Sequence, residues 1–298
     1  MPLFRGEFFV VNAPSPIESN AGTDRLGTAP LFARDGRIWL PQEAAVGPWS
    51  PEALHGGAVS ALCVAAAEET LPGPQFVTTR LSLDLVRPVP ARPLAVEARV
   101  IKSGRRVYLV EIEIRDQGRE VALARVQRTS VSPVSLPDLE GTGLEHRPPP
   151  DLPGDFPSFD AALAAHAPAP FFRLTTELRT ASPAGLFERG TKVAWVRIVA
   201  PLTEDQPLSH SAAVAAACDY TNALGAPAMP SQLNLLFANA DLSIHLVRNP
   251  VSKWVRMAPT SAWLDHGIGH SRCELWDEHG LLGISAVTLP LMQPGNYL

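Results

Sequence analysis

One stretch of this chain occurs twice, and that constrains its fold more than any local pattern. Residues 76–88 (FVTTRLSLDLVRP) recur as residues 237–249 (FANADLSIHLVRN), with Leu81, Ser82, Leu85, Val86 and Arg87 returning as Leu242, Ser243, Leu246, Val247 and Arg248. Whatever unit one copy builds, the other must build too. The alternating apolar positions of each copy read as a strand with one buried face.

The flanks repeat as well. Upstream lie two alanine-rich segments, residues 55–69 (HGGAVSALCVAAAEE) and 210–224 (HSAAVAAACDYTNAL), each carrying Ala-Val, three further residues and then Cys. Segments so rich in the best helix former and so poor in charge predict helices buried nearly all round. Downstream, each half reads strand, turn, strand, turn, strand: residues 94–101, 106–115 and 120–131 in the first, 255–263, 271–276 and 281–291 in the second. Ahead of each helix the pattern predicts a shorter pair, 8–12 with 37–40 and 174–179 with 192–199. Each half is then two strands, a buried helix and three more strands. A long helix wrapped by a curved antiparallel sheet is the hotdog arrangement, so the expected class is α+β, a double hotdog. Its expected units are residues 1–132 and 171–298. Between them, 133–170 holds nine prolines and reads as a linker with a short helix at 159–167.

Composition excludes several classes. Proline makes up about a tenth of the chain, 30 of 298 residues, which disfavours helical bundles and solenoids. A net charge of -5 without basic tracts argues against nucleic acid as a partner. No apolar run is long enough to span a membrane, and the four apolar residues 8–11 are too few for a signal-peptide core. Three dispersed cysteines, Cys63, Cys218 and Cys273, make neither a disulfide framework nor a zinc site, so a cytoplasmic location is expected.

The approach Gly47-Pro48-Trp49 into the helix start His55-Gly56-Gly57, together with an aspartate on the second buried helix, resembles the acyl-coenzyme A thioesterase II family. The resemblance covers nearly the whole chain. It implies a working carboxylate on the second helix, a hydroxyl residue at the start of the next strand and a glutamine on the last strand. Those positions fall on Asp219, Asn239 and Thr288, so only the first keeps the family's residue type. Many single-hotdog thioesterases also pair His-Gly-Gly with an acid nine residues on. Nine beyond His55 stands Val64, and nine beyond His210 stands Asp219, where Ser211-Ala212 replace the glycines.

The chemistry suits these residues. A glycine pair at a helix start leaves backbone N–H groups and the positive end of the helix dipole open to an oxygen that gains charge in the transition state. Gly56 and Gly57, with His55 at the helix entry, are the expected substrate-binding residues. A buried Asp219 can position or deprotonate water, a contribution of typically ~100- to 10,000-fold, with Asn239 and Thr288 as its polar partners. The expected function is hydrolysis of an acyl-CoA to free acid and CoA, without cofactor or metal. Asp265, His266 and His270 lie among glycines and read as a turn. Arg105, Arg106, Arg248, Lys253 and Arg256 are candidate contacts for CoA phosphates. Two other readings are a non-catalytic acyl-thioester binder, suggested by the departures at Asn239 and Thr288, and an enoyl-thioester hydratase, which needs an Asp and a His facing one carbon. A homo-oligomer is expected by analogy with other hotdog sheets.

Overall fold

A computed structural model describes residues 26–138, 147–158, 169–180, 189–228 and 233–293. The predicted strand at 8–12, the linker helix at 159–167 and the tail beyond residue 293 lie outside these. In chain order the elements are β1 (Phe32–Asp35), β2 (Ile38–Pro41), α1 (Gly56–Thr70), β3 (Phe76–Asp84), β4 (Leu94–Ser103), β5 (Val107–Asp116) and β6 (Arg119–Ser130) in the first half. The second half holds α2 (Pro170–Thr175), β7 (Thr176–Thr180), β8 (Ala194–Ile198), α3 (His210–Cys218) and α4 (Thr221–Gly225). It continues with β9 (Leu236–Phe237), β10 (Asp241–Leu246), β11 (Trp254–Leu264), β12 (Ile268–Asp277) and β13 (Gly280–Met292).

The strands form one antiparallel sheet in the order β1-β2-β4-β5-β6-β3-β10-β13-β12-β11-β8-β7, with β9 added beside β13. Read from its centre outward, each half has the same order. The seam is β3 against β10, where Ser82 pairs with Ser243, its own repeat equivalent, Leu81 with Ile244 and Leu83 with Leu242. Such a register is what a two-fold axis through the seam requires. The helices obey the same axis. Ser60 Oγ donates to Ala215 O over 2.9 Å, and these two residues are also equivalents.

Alanine makes this packing possible. Residues 57–67 of α1 are all buried, as are 211–218 of α3, because each helix has the sheet on one side and the other helix on the other. A Cβ on Gly57 would come within 2.7 Å of Ala216 O, so the helix pair touches backbone to backbone there. The strands show the expected period of two. Val110, Ile112 and Ile114 of β5 are fully buried, while on the outer face Glu111 bridges Arg99 of β4 (2.6 Å) and Arg125 of β6 (3.1 Å).

Two expectations need correction. The partner of residues 37–40 is β1, at Phe32–Asp35. The second buried helix is not continuous to residue 224: it stops at Cys218 and resumes at Thr221. Tyr220 N–H donates to Ala217 O (3.0 Å) in a tightened last turn, and the Asp219 carbonyl is taken by Asn239 Nδ2 (3.1 Å) instead of by a helical N–H. Part of the stretch between the halves is also tied down. Asp151 accepts from Trp195 Nε1 (2.7 Å) and Arg256 Nε (2.8 Å).

Candidate active site

His55 is the N-cap of α1. Gly57 N–H donates to its Nδ1 over 3.0 Å, satisfying one of the donors a helix start leaves open. Gly56 N–H has no acceptor among the described residues. The break between α3 and α4 turns the Asp219 side chain onto this helix start. Asp219 Oδ2 lies 3.1 Å from His55 Nδ1, and a Cβ on Gly56 would sit 2.4 Å from Asp219 Oδ1. Gly56 is therefore required for the carboxylate to reach the helix end at all. Both side chains are buried, at 7% and 10% exposure.

Asn239, two residues ahead of β10, donates from Nδ2 to Asp219 Oδ1 over 2.5 Å. Its own Oδ1 is buried and makes no hydrogen bond among the described residues. One amide thus holds the carboxylate and keeps an acceptor free for water. Thr288 is not part of this group. On β13 the flanking Val287 and Leu289 face the core, and strand alternation turns the Thr288 side chain outward, exposed. Only its backbone serves the site: Thr288 N–H donates to Asp241 Oδ1 (2.7 Å) and its carbonyl accepts from Ala240 N–H (3.0 Å), fastening the segment that carries Asn239.

Aromatic rings enclose His55. Phe171 of α2 stacks on it with centroids 4.0 Å apart, Phe172 meets it edge-on at 5.1 Å, and Tyr220 lies at 5.7 Å. Tyr220 OH pairs with Thr176 Oγ1 at 2.8 Å, and burial raises its phenol well above the usual range. These residues were missed in the sequence because a Phe-Phe pair after a proline-rich stretch carries no periodic signal. Burial lowers the His55 imidazole below its ordinary value, against a smaller opposing pull from Asp219. The neutral ring uses Nδ1 to accept from Gly57 and so carries its proton on Nε2.

That shift has a pH consequence. An unfolded chain protonates His55 near pH ~6.5, whereas the folded protein does so only at lower pH. The contribution is present above that range and is lost as pH falls through it. His55→Asn, which keeps a capping oxygen for Gly57 N–H, is expected to reduce by about 1 kcal/mol the fall in urea-unfolding free energy between about pH 7.5 and about pH 5.5. An unchanged fall would contradict the burial argument.

Near the site, one thiol is inert and two of the candidate cations for CoA phosphates are already paired. Cys218 is fully buried and its thiol is raised well above the ordinary value by that burial, which removes it as a nucleophile. Arg248 is committed to Asp277, donating at 2.7 and 2.5 Å, and Arg256 to Asp151. Arg105 and Arg106 remain exposed. Among the described residues, no helix is long and apolar enough to cross a membrane.

Family models described as the acyl-CoA thioesterase N-terminal domain and the acyl-CoA thioesterase C-terminal domain match residues 45–129 and 145–289. Comparison with curated proteins finds no match. Among solved structures, the chain is similar to a candidate thioesterase II from Thermobifida fusca, with 18% identity, TM-score 0.65, and 92% of this chain and 100% of that one covered. It is also similar to a protein of hot dog fold from Alicyclobacillus acidocaldarius (20%, TM-score 0.63, 90% and 97%). A third is an acyl-CoA thioesterase II from Mycobacterium marinum (15%, TM-score 0.62, 89% and 97%). At these identities the structural likeness concerns the double hotdog fold.

Proposed function

Because the chain belongs to the acyl-CoA thioesterase family, we propose that it hydrolyses an acyl-CoA at the cluster of His55, Gly56, Asp219 and Asn239. The observation that carries this reading is the Asp219 carboxylate packed on Gly56 at the start of α1. There a base and an open N–H donor serve one small volume.

Asp219, held at Oδ1 by Asn239, takes one proton from water, while Asn239 Oδ1 accepts a hydrogen bond from the O–H that the water keeps. The water oxygen bonds to the thioester carbonyl carbon, and the carbonyl oxygen gains charge beside Gly56 N–H and the positive end of α1. Asp219 holds that proton 3.1 Å from His55 Nδ1, whose lone pair Gly57 N–H already occupies. When the C–S bond breaks, the sulfur leaves with the bond's electron pair and that proton follows it, giving the free acid and CoA thiol. Release of thiol from a panel of acyl-CoAs of increasing chain length is the test. No turnover at any length, with CoA still raising the unfolding temperature, would carry the non-catalytic binding reading instead.

A hydratase reading gains from one observation: the histidine that it needs beside Asp219 comes from the other half, as His55. Against it, Nδ1 is engaged by Gly57 and a ring face is covered by Phe171. Loss of enoyl absorbance from crotonyl-CoA without thiol release would favour it. Three free cysteines, all buried, suit a reducing cytoplasm, and a homo-oligomer is part of the proposal, to be checked by sedimentation.

A further inference from the structure

The two-fold relation gives the catalytic centre a mate, with Val64 in the place of Asp219, and the two sides differ in the fate of one arginine. Arg248 follows β10, and Arg87, its repeat equivalent, follows β3. In the second half Arg248 is locked. It donates to both carboxylate oxygens of Asp277 (2.7 and 2.5 Å), whose fully buried side chain also accepts from Val251 and His279 N–H at 2.9 Å each. In the first half the equivalent acid, Asp116, has another partner. Pro90 stands in the place of Val251 and has no N–H to give, and Arg92, in the place of Lys253, donates to Asp116 from Nε (2.8 Å). The pairing beyond β3 has also slipped by one residue. Val247 N–H donates to Leu282 O (2.9 Å), but the equivalent acceptor, Val121 O, takes Arg87 N–H (3.1 Å) where Val86 is expected. A slip of one residue exchanges the faces of an extended chain, so Arg87 takes the outward place of Val247, which is 72% exposed. Its guanidinium is exposed and makes no hydrogen bond or ion pair among the described residues.

The released arginine is the one beside the catalytic cluster. Leu85 N–H donates to the carbonyl of Ala240, directly after Asn239 (3.0 Å), and Leu54, directly before His55, donates its N–H to Val89 O (2.8 Å). Residues 85–89 thus run from one side of the cluster to the other. Arg87 stands at their middle, two residues and at most about 7 Å of backbone from either end. An unpaired guanidinium presents a planar fork of donors that matches a phosphate. CoA carries its phosphates beyond a long pantetheine arm, so a phosphate contact belongs at the rim of the reacting centre and not within it.

We propose that Arg87 holds a phosphate of the CoA moiety, and so makes this chain prefer CoA thioesters to thioesters that carry the same acyl group on a pantetheine arm without phosphate. The proposal rests on the hydrolase reading in taking CoA as the leaving group. Arg87 acts on specificity, through KM, and its exposed position makes the contact weaken with added salt.

The test compares butanoyl-CoA with butanoyl-pantetheine, which presents the same thioester without phosphate. Arg87→Gln is expected to lower the ratio of the two kcat/KM values by about tenfold, the loss of one charge-assisted contact, through a higher KM for the CoA thioester. Arg87→Lys should restore part of the ratio. Arg248→Gln is the control: it strips the buried Asp277 of its cation, so it should lower the unfolding temperature and keep the ratio. An unchanged ratio in Arg87→Gln, or an equal fall in Arg248→Gln, would overturn the proposal and leave the hydrolase reading standing. If neither thioester is hydrolysed, the rise in unfolding temperature caused by CoA takes the place of kinetics. A rise that Arg87→Gln loses would keep the phosphate contact and remove the hydrolase reading, whereas a rise that the variant keeps, or no rise, would remove both.

Discussion

Asp219→Asn is expected to lower kcat for acyl-CoA hydrolysis by roughly 100- to 10,000-fold, the range that general-base positioning of water supplies, while leaving the fold intact. The substituted amide has the shape of the carboxylate. Its oxygen can go on accepting from Asn239 Nδ2, and its NH2 group takes the place of Oδ2 facing the unprotonated His55 Nδ1 at 3.1 Å, a position that no longer carries a charge. Unfolding free energy should therefore change by less than about 0.5 kcal/mol. KM should move little, since the carboxylate acts on water and not on the bound thioester. Steady-state kinetics with urea denaturation on the same sample separates the two effects. Full activity in this variant would falsify the mechanism. Asp219→Ala is the less informative change, because it removes one of the two acceptors of the buried Asn239 amide.

The largest loss of stability is expected from Gly283→Ala. Gly283 lies in β13 at φ 151, opposite Leu246 of β10, and an added Cβ would fall 1.8 Å from His245 O and 3.1 Å from Leu246 Cα. Both obstacles are backbone of the strand that carries the seam, so neither can move aside without breaking the β10–β13 pairing. A cost of about 3 kcal/mol or more is expected, from backbone clash added to conformational strain. Gly36→Ala is the control. It too has positive φ, at 58, but nothing lies within 4 Å of its added Cβ, so only the conformational cost of roughly 1–2 kcal/mol should appear. Urea denaturation of both variants reads the difference directly, and equal losses would show that the seam tolerates the methyl group.

Much of this fold is legible in the sequence because the repeat ties distant segments together. The Ser82 and Ser243 copies, the two alanine-rich helices and the three strands after each copy all follow from period and duplication. What escapes is decided by single steps of geometry. Thr288 is one residue away from facing the core, and in a strand one residue reverses the face. Asp219 looks mid-helical in the alanine run, yet its carbonyl is captured by Asn239 from another element, and no local propensity encodes that. Phe171 and Phe172 reach His55 only through tertiary packing. The Asp219–Asn239 pairing itself was within reach, because both positions follow from the family resemblance. That His55 joins them from the other half was not, since it depends on how the two helices cross the axis.

The pairing of Ser82 with Ser243, and of Ser60 with Ala215, gives one polypeptide the internal geometry of a symmetric dimer. In a dimer of identical chains any substitution enters both centres at once, so a gain at one is repeated at the other whether or not it is useful there. Joining the two copies end to end lifts that coupling. It lets an aspartate stand at one centre and a valine at the equivalent position of its mate, so that a symmetric scaffold carries a carboxylate at one centre alone.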